Sequence, residues 1–205
     1  LTCIVAPLDD RFKFAVPVYG CGYIYECPLY GVRNPEDQKI WNTHWDPSLY
    51  LPLAKMPFLW VTGSNDFAFP FSALQKSYRL LNVPSTLCIR LRMPHGHNGP
   101  GENPAEILAF AEHVLHQAPA LPTVSAPTLA GTVASIRVTT SAPFTAQLNY
   151  TTNSGVWKAR DWKAVPAEVR NAEVRATLPA NTTTFYFNVV TTNDMVVSSE
   201  HMERL

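Results

Sequence analysis

The sequence predicts two structural classes in succession: a parallel sheet covered by helices, then a small all-β sandwich. Three observations carry that expectation. Strand-like and helix-like runs alternate up to about residue 118, and a Pro/Ala-rich stretch, "QAPALPTVSAPTLAG", follows. Beyond it lie only short, Thr- and Val-rich runs separated by turn residues. Alternating strands and helices make a parallel sheet with helices on its faces. A string of short strands with turn signals makes a sandwich of immunoglobulin or fibronectin type.

Each element has its own signal. "FKFAVPVYG" (12–20) reads as a buried strand and "FLWVTG" (58–63) as a second. In "FSALQKSYRLLN" (71–82), Ser72 stands as a helix cap with Gln75 at the reciprocal capping position, and Leu74, Tyr78 and Leu81 form one stripe. "TLCIRLRM" (86–93) is a third strand, with Leu87, Ile89 and Leu91 on one face and Cys88, Arg90 and Arg92 on the other. Two arginines on one face predict an edge strand. Asn103-Pro104 is a cap followed by proline at the first helical position, with Glu106 three residues after the cap. Ile107, Phe110, Ala111, Val114 and Leu115 supply the apolar face of that helix. In the second half, strands are expected at 133–140, 145–152, 172–178, 184–192 and 195–202, with turns at 153–155 and 179–181. The expected division is a first unit at 1–118 with an insertion at 19–57, a linker at 119–127 and a β-sandwich at 128–205.

Composition narrows the classes. The 205 residues are 46% hydrophobic and 16% charged, which suits a folded chain. The formal net charge is zero, against the basic balance of a general nucleic-acid binder. No apolar stretch approaches the roughly 20 residues of a membrane-spanning helix. The start, "LTCIVAPLDD", carries neither the basic flank nor the cleavage site of a signal peptide, and no initiator Met, which points to a piece of a longer chain. Cys3, Cys21, Cys27 and Cys88 contain no CxxC pair, which argues against a zinc ribbon. They read as buried thiols, with Cys21 and Cys27 near enough in sequence to bridge, and the compartment stays open.

One stretch raises a chemical question. "LRMPHGHNGPGENPAEI" (91–107) sets His95 and His97 on a loop between the third strand and the last helix. Asp66, in "TGSNDFAFP", lies just past the carboxyl end of the second strand. Neighbouring strands run about 4.8 Å apart, and the 31 residues from Asp66 to His97 are close to one strand–helix–strand unit. Carboxylate and imidazole would then meet in the crevice where open α/β sheets bind ligands. A carboxylate that accepts from one ring nitrogen leaves the other free as a base. The plain alternative is a turn aspartate and two surface histidines. A zinc site of His95, His97 and Asp66 is a further alternative, but the additional ligands of a metallohydrolase are not evident. No metal and no cofactor are expected. The nucleophile such a base would serve is missing: no G-x-S-x-G occurs, Ser64 serves the turn, Ser72 the helix, and the glycines of "YGCGY" touch Cys21 directly.

The stretches "LTCIVAPLDDRFKFAVPVYGCGYIYE", "YLPLAKMPFLWVTGSNDFAFP" and "RMPHGHNGPGENPAEILAFAEHVL" resemble the second half of an α/β-hydrolase catalytic domain. The likeness is to esterases of the dienelactone-hydrolase and acetyl-xylan-esterase type and to PhoPQ-activated pathogenicity-related proteins. It covers a little over half of the chain. In such enzymes a G-x-S-x-G-G elbow leads into a helix that ends in an Asp-Arg-Phe-Lys segment, which "LDDRFK" (8–13) matches. The resemblance implies a Ser-His-Asp triad in the order Ser…Asp…His, with the serine a few residues upstream of Leu1. Asp66 becomes the acid. Gly96-His97 matches the family's Gly-His pair, so His97 becomes the base, with His95 the alternate. It also implies a companion first half of the same protein, a small ester or acylated carbohydrate as substrate, possession of little activity by this chain alone, and a secreted or periplasmic setting.

The insertion at 19–57 then becomes lid-like. Tyr19, Tyr23, Trp41 and Trp45 are its candidate pocket aromatics, able to stack on a sugar or an acyl group or simply to pack the lid. Trp157 and Trp162, in "GVWKARDWKAV", are candidates for a carbohydrate platform or for the sandwich core. Two function classes follow: a carboxylic ester hydrolase, or a non-catalytic fragment or carbohydrate- or protein-binding chain on the same scaffold.

Overall fold

The computed structural model describes residues 1–28, 30, 34–97 and 99–204. The first half is built of α1 (Thr2–Leu8), α2 (Pro35–Ile40), β1 (Phe58–Gly63), α3 (Phe71–Tyr78), β2 (Ser85–Arg90) and α4 (Ala105–His116). The second half is β3 (Thr123–Val124), β4 (Thr128–Ala130), β5 (Val133–Thr139), β6 (Phe144–Thr151), β7 (Lys163–Arg170), β8 (Glu173–Thr177), β9 (Thr184–Thr191), β10 (Val196–Ser198) and β11 (Met202–Glu203).

β1 and β2 are parallel, in register from Phe58↔Ser85 to Gly63↔Arg90, and every residue of β1 is buried. The apolar run 12–20 is not a regular strand. Ala15 and Val18 make isolated parallel bridges to Phe58 and Val61. Pro17 lacks an N–H, so it serves the ladder only through its carbonyl, which accepts from Val61 N at 3.0 Å.

β2 is an interior strand. The two-arginine face predicted an edge, yet β10 lies antiparallel against it, Ser198 opposite Leu87. Ser198 Oγ accepts from Ile89 N (2.8 Å) and Asn188 Nδ2 donates to Ile89 O (3.1 Å), so side chains complete what the short ladder leaves open. The arginines are accommodated differently: Arg90 binds buried Glu106, and Arg92 stands beyond the strand, exposed, with φ 55°.

From β10 the strand order continues β9, β6, β7, β8, β5, β3. The β-rich half is thus continuous with the parallel strands in one mixed sheet. The expected linker at 119–127 is part of it, because Thr123 and Val124 pair with Thr139 and Val138. β7 was not expected. Its Pro166, opposite Gln147, removes one ladder donor and disguises an otherwise regular strand.

Hydrophobic burial also joins the halves, with Trp162 and Tyr186 in one core with Phe58, Trp60 and Phe71. Phe71, the first residue of α3, meets Trp157, Trp162, Tyr186 and His201 at ring-centroid distances of 5.3, 5.6, 5.8 and 5.3 Å. Neither Ser72 nor Asn103 caps a helix with its side chain; Pro70 and Pro104 hold those positions. Gln75 reaches across to His201 O (2.9 Å) instead. α3 stops at Tyr78, before Leu81.

Candidate functional site

The site forms where β1 and β2 end side by side. After Gly63 the chain turns through Ser64 and Asn65, and Ser64 N donates to Arg90 O (3.1 Å). Ser64 Oγ accepts from Arg92 N (2.9 Å) and donates to Asn65 Oδ1 (3.0 Å), which ties the turn after β1 to the loop after β2. Ser64 is therefore occupied as a structural hydroxyl, as its place in the turn predicts. Gly63 makes the crossing possible: a Cβ there would lie 1.9 Å from Met93 O. Only a residue without a side chain lets the loop pass that closely.

Asp66 is locked at both oxygens. Oδ1 accepts from Ala68 N and Phe69 N, each at 2.8 Å, and Oδ2 lies 2.9 Å from His95 Nδ1. A carboxylate only accepts, so Nδ1 is the donor, and in the neutral ring the lone pair is on Nε2. The Asp66 side chain is 1% exposed and that of His95 14%. This is an oriented imidazole with a shielded carboxylate behind it.

The histidine that meets Asp66 is His95; the sequence favoured His97. The loop after β2 is short: Arg92 takes a left-handed turn, Met93 N closes on Arg90 O (3.3 Å), and the next side chain but one is already over Asp66. His97 is exposed, its ring edge-on to that of His95 at 6.0 Å. Among the described residues no three His, Cys, Asp or Glu side chains converge as metal ligands.

Tyr19 stands somewhere other than in the lid. It is buried, and its ring stacks on His95 with centroids 4.1 Å apart and planes 13° from parallel. Phe67 (4.9 Å) and Phe69 (6.0 Å) complete an aromatic surround. Their position three residues or fewer from Asp66 in "NDFAF" was a signal that sequence reasoning passed over.

The insertion does line a cleft. Trp41 and Trp45 join Ile24, Ile40, Pro17 and Phe69 around a volume of about 650 Å³, and Phe69 also faces His95. Tyr23 lies apart from that wall, half-buried, beneath Lys76 Nζ at 5.6 Å. Buried Asp46, overlooked in the sequence, organises the insertion: it accepts from Tyr23 N (2.9 Å), Ile24 N (2.7 Å) and Ser48 N (2.8 Å).

The cysteines offer no exposed thiol. All four cysteines are free and buried. Burial pushes Cys3 and Cys88 up to about 12, and Cys21, in contact with Cys27, is raised as well. The thiolate is the reactive form, and the surroundings of Cys3, Cys21 and Cys88 withhold it. Trp157 and Trp162 do not form an open stacking surface: Trp162 is wholly buried, and Arg160 lies over the Trp157 ring at 3.5 Å.

Comparison with protein-family models and with curated proteins finds no match.

Proposed function

We propose that this chain carries the acid–base part of a serine-hydrolase site that cleaves carboxylic esters, with small acyl esters, acetylated carbohydrates among them, as the substrate class. The observation that supports it is the Asp66–His95 couple at 2.9 Å, at the carboxyl ends of adjacent parallel strands. On this reading the Ala15–Val18 segment, β1 and β2 belong to the later part of an α/β-hydrolase sheet, and the β-rich half is a sandwich fused to it. The hydroxyl nucleophile and the oxyanion donors come from outside these 205 residues, as the likeness to the esterases implies.

The steps assigned to this chain are few. His95 Nε2 accepts the proton of the attacking hydroxyl, and Asp66 stabilises the imidazolium that forms. His95 then returns the proton to the leaving oxygen, and the same exchange with water releases the acyl group. The full-length protein is tested with an activated acetyl ester and with a fluorophosphonate that labels reactive serines. His95→Ala should abolish turnover and labelling. Asp66→Asn should lower kcat by about 10⁴-fold, because it favours the wrong tautomer, while its remaining oxygen still accepts from Ala68 and Phe69. His97→Ala should cost far less. Unlabelled, inactive wild-type protein, or full activity in His95→Ala, overturns the proposal.

A further inference from the structure

Tyr19 touches the His95 loop at three points. Its ring lies against the imidazole face at 4.1 Å. Its hydroxyl donates to Pro94 O (2.9 Å) and accepts from Gly96 N (3.3 Å), the residues on either side of His95. Further along the loop the backbone again comes close to this side chain, for a Cβ at Gly101 would lie 2.6 Å from Tyr19 Oη and Cε2. Tyr19 is also held at φ 62°, left-handed backbone that a bulky residue adopts only when its surroundings over-determine it. What fixes it on the other side is the ladder: Tyr19 N donates to Val61 O (2.9 Å), two residues before the end of β1.

We propose that Tyr19 is a positioning residue for the base: its hydroxyl fixes the loop on both flanks of His95, and its π face supports the imidazolium formed during turnover. The two contributions are separable. A cation is attracted to an aromatic face within about 6 Å of the centroid, whereas a neutral imidazole gains only the stacking. The face therefore acts more strongly in the transition state than in the resting enzyme, which lowers the barrier rather than tightening substrate binding. The hydroxyl acts through geometry, because the base must hold its lone pair within a few tenths of an ångström of the proton it takes.

The kinetic arm of the test rests on the acyl-transfer reading; the spectroscopic arm does not. In full-length protein labelled with ¹⁵N-histidine, the His95 Nδ1 proton bonded to Asp66 should give a sharp, downfield, slowly exchanging signal. Tyr19→Leu removes the face and the hydroxyl and should erase that signal and lower kcat roughly tenfold or more, with KM unchanged. Tyr19→Phe keeps the face; it should retain an Nδ1 signal that exchanges faster and lose severalfold in kcat. Phe14→Leu changes a partly buried ring that packs edge-on against Phe110 of α4 in the same cluster as Tyr19; it should lower thermal stability and leave both readouts alone. If Tyr19→Leu does not fold, Tyr19→Phe decides: an unchanged Nδ1 exchange rate and unchanged kcat overturn the proposal. Should the wild type hydrolyse no ester, the functional reading fails, and the Nδ1 signal still tests whether Tyr19 positions His95.

Discussion

Glu106 offers the sharpest test of how the two halves of the sheet are joined. Its side chain is 0% exposed. Oε1 accepts from Arg90 Nη2 (2.6 Å) on β2 and from the backbone N of Val196 on β10. One carboxylate on α4 thus neutralises a cation of the parallel strands and satisfies an amide of the strand that covers them. Breaking a buried pair by removing one member costs about 3–5 kcal/mol. Arg90 is 33% exposed, so water recovers part of its solvation and the lower end applies, about 3 kcal/mol. The orphaned Val196 N–H adds about 1–2 kcal/mol. Glu106→Ala should therefore destabilise by about 4–5 kcal/mol, and Glu106→Gln, which keeps an acceptor, by about half of that. The pair is already imperfect, since Glu106 Oε2 and Arg90 Nε are buried without partners among the described residues. Arg90→Met combined with Glu106→Leu should then cost less than the sum of the single changes by about 2 kcal/mol or more. Urea unfolding of the four proteins gives the cycle. Additive costs, or a Glu106→Ala cost below about 1.5 kcal/mol, would refute this account of the seam.

Two further outcomes are expected. Gly63→Ala, whose Cβ would meet Met93 O at 1.9 Å, must displace the loop; it should lower activity far more than Ser64→Ala and destabilise by about 2–4 kcal/mol, read from kcat and urea unfolding. His201 is buried, and desolvation, then Arg79 and Arg160, push it down to about 3. The unfolded chain titrates near 6.5, so it takes up the proton first; stability should be full above that pH and fall toward pH 3 by up to about 1.4 kcal/mol per pH unit. His201→Gln should flatten that slope in urea midpoints measured between pH 7.5 and 5, and an unchanged slope would count against it.

What the sequence shows of this site depends on distance along the chain. Asp66 is legible because the turn that presents it is local: "TGSND" ends a strand and its carboxylate caps the following amides. The loop of His95 and His97 is legible for the same reason. The choice between them is not, because it depends on how tightly the loop returns, and that is set by Gly63 and by Tyr19, whose hydroxyl meets Pro94 from 75 residues away. β2 misread as an edge has a similar cause. Its arginine face argued for solvent, and the partner that refutes it, Ser198, lies more than 100 residues downstream. Trp157 and Trp162 read more readily as sandwich core than as a sugar platform, and the sequence kept both open because a tryptophan's sequence neighbours do not reveal which face is covered.

The β-rich half bears on the Asp66–His95 couple through Asn65. Its side-chain nitrogen donates to Lys158 O (3.1 Å) and Arg160 O (2.7 Å), both in the turn between β6 and β7. Its oxygen accepts from Ser64, which in turn holds the backbone of Arg92 at the entrance to the His95 loop. Asn65 is also the residue before Asp66, so any shift of that turn is felt at once by the carboxylate that orients His95. Arg160 is itself fixed by Gly155 O, by Thr184 Oγ1 (2.9 Å) and by the face of Trp157, which packs on Phe71. A tethered module would leave such a loop free to move. Here a chain of hydrogen bonds and ring contacts runs from β9 through Arg160 and Asn65 to Asp66, so the stability of the β-rich half is a condition for holding the Asp66–His95 couple in register.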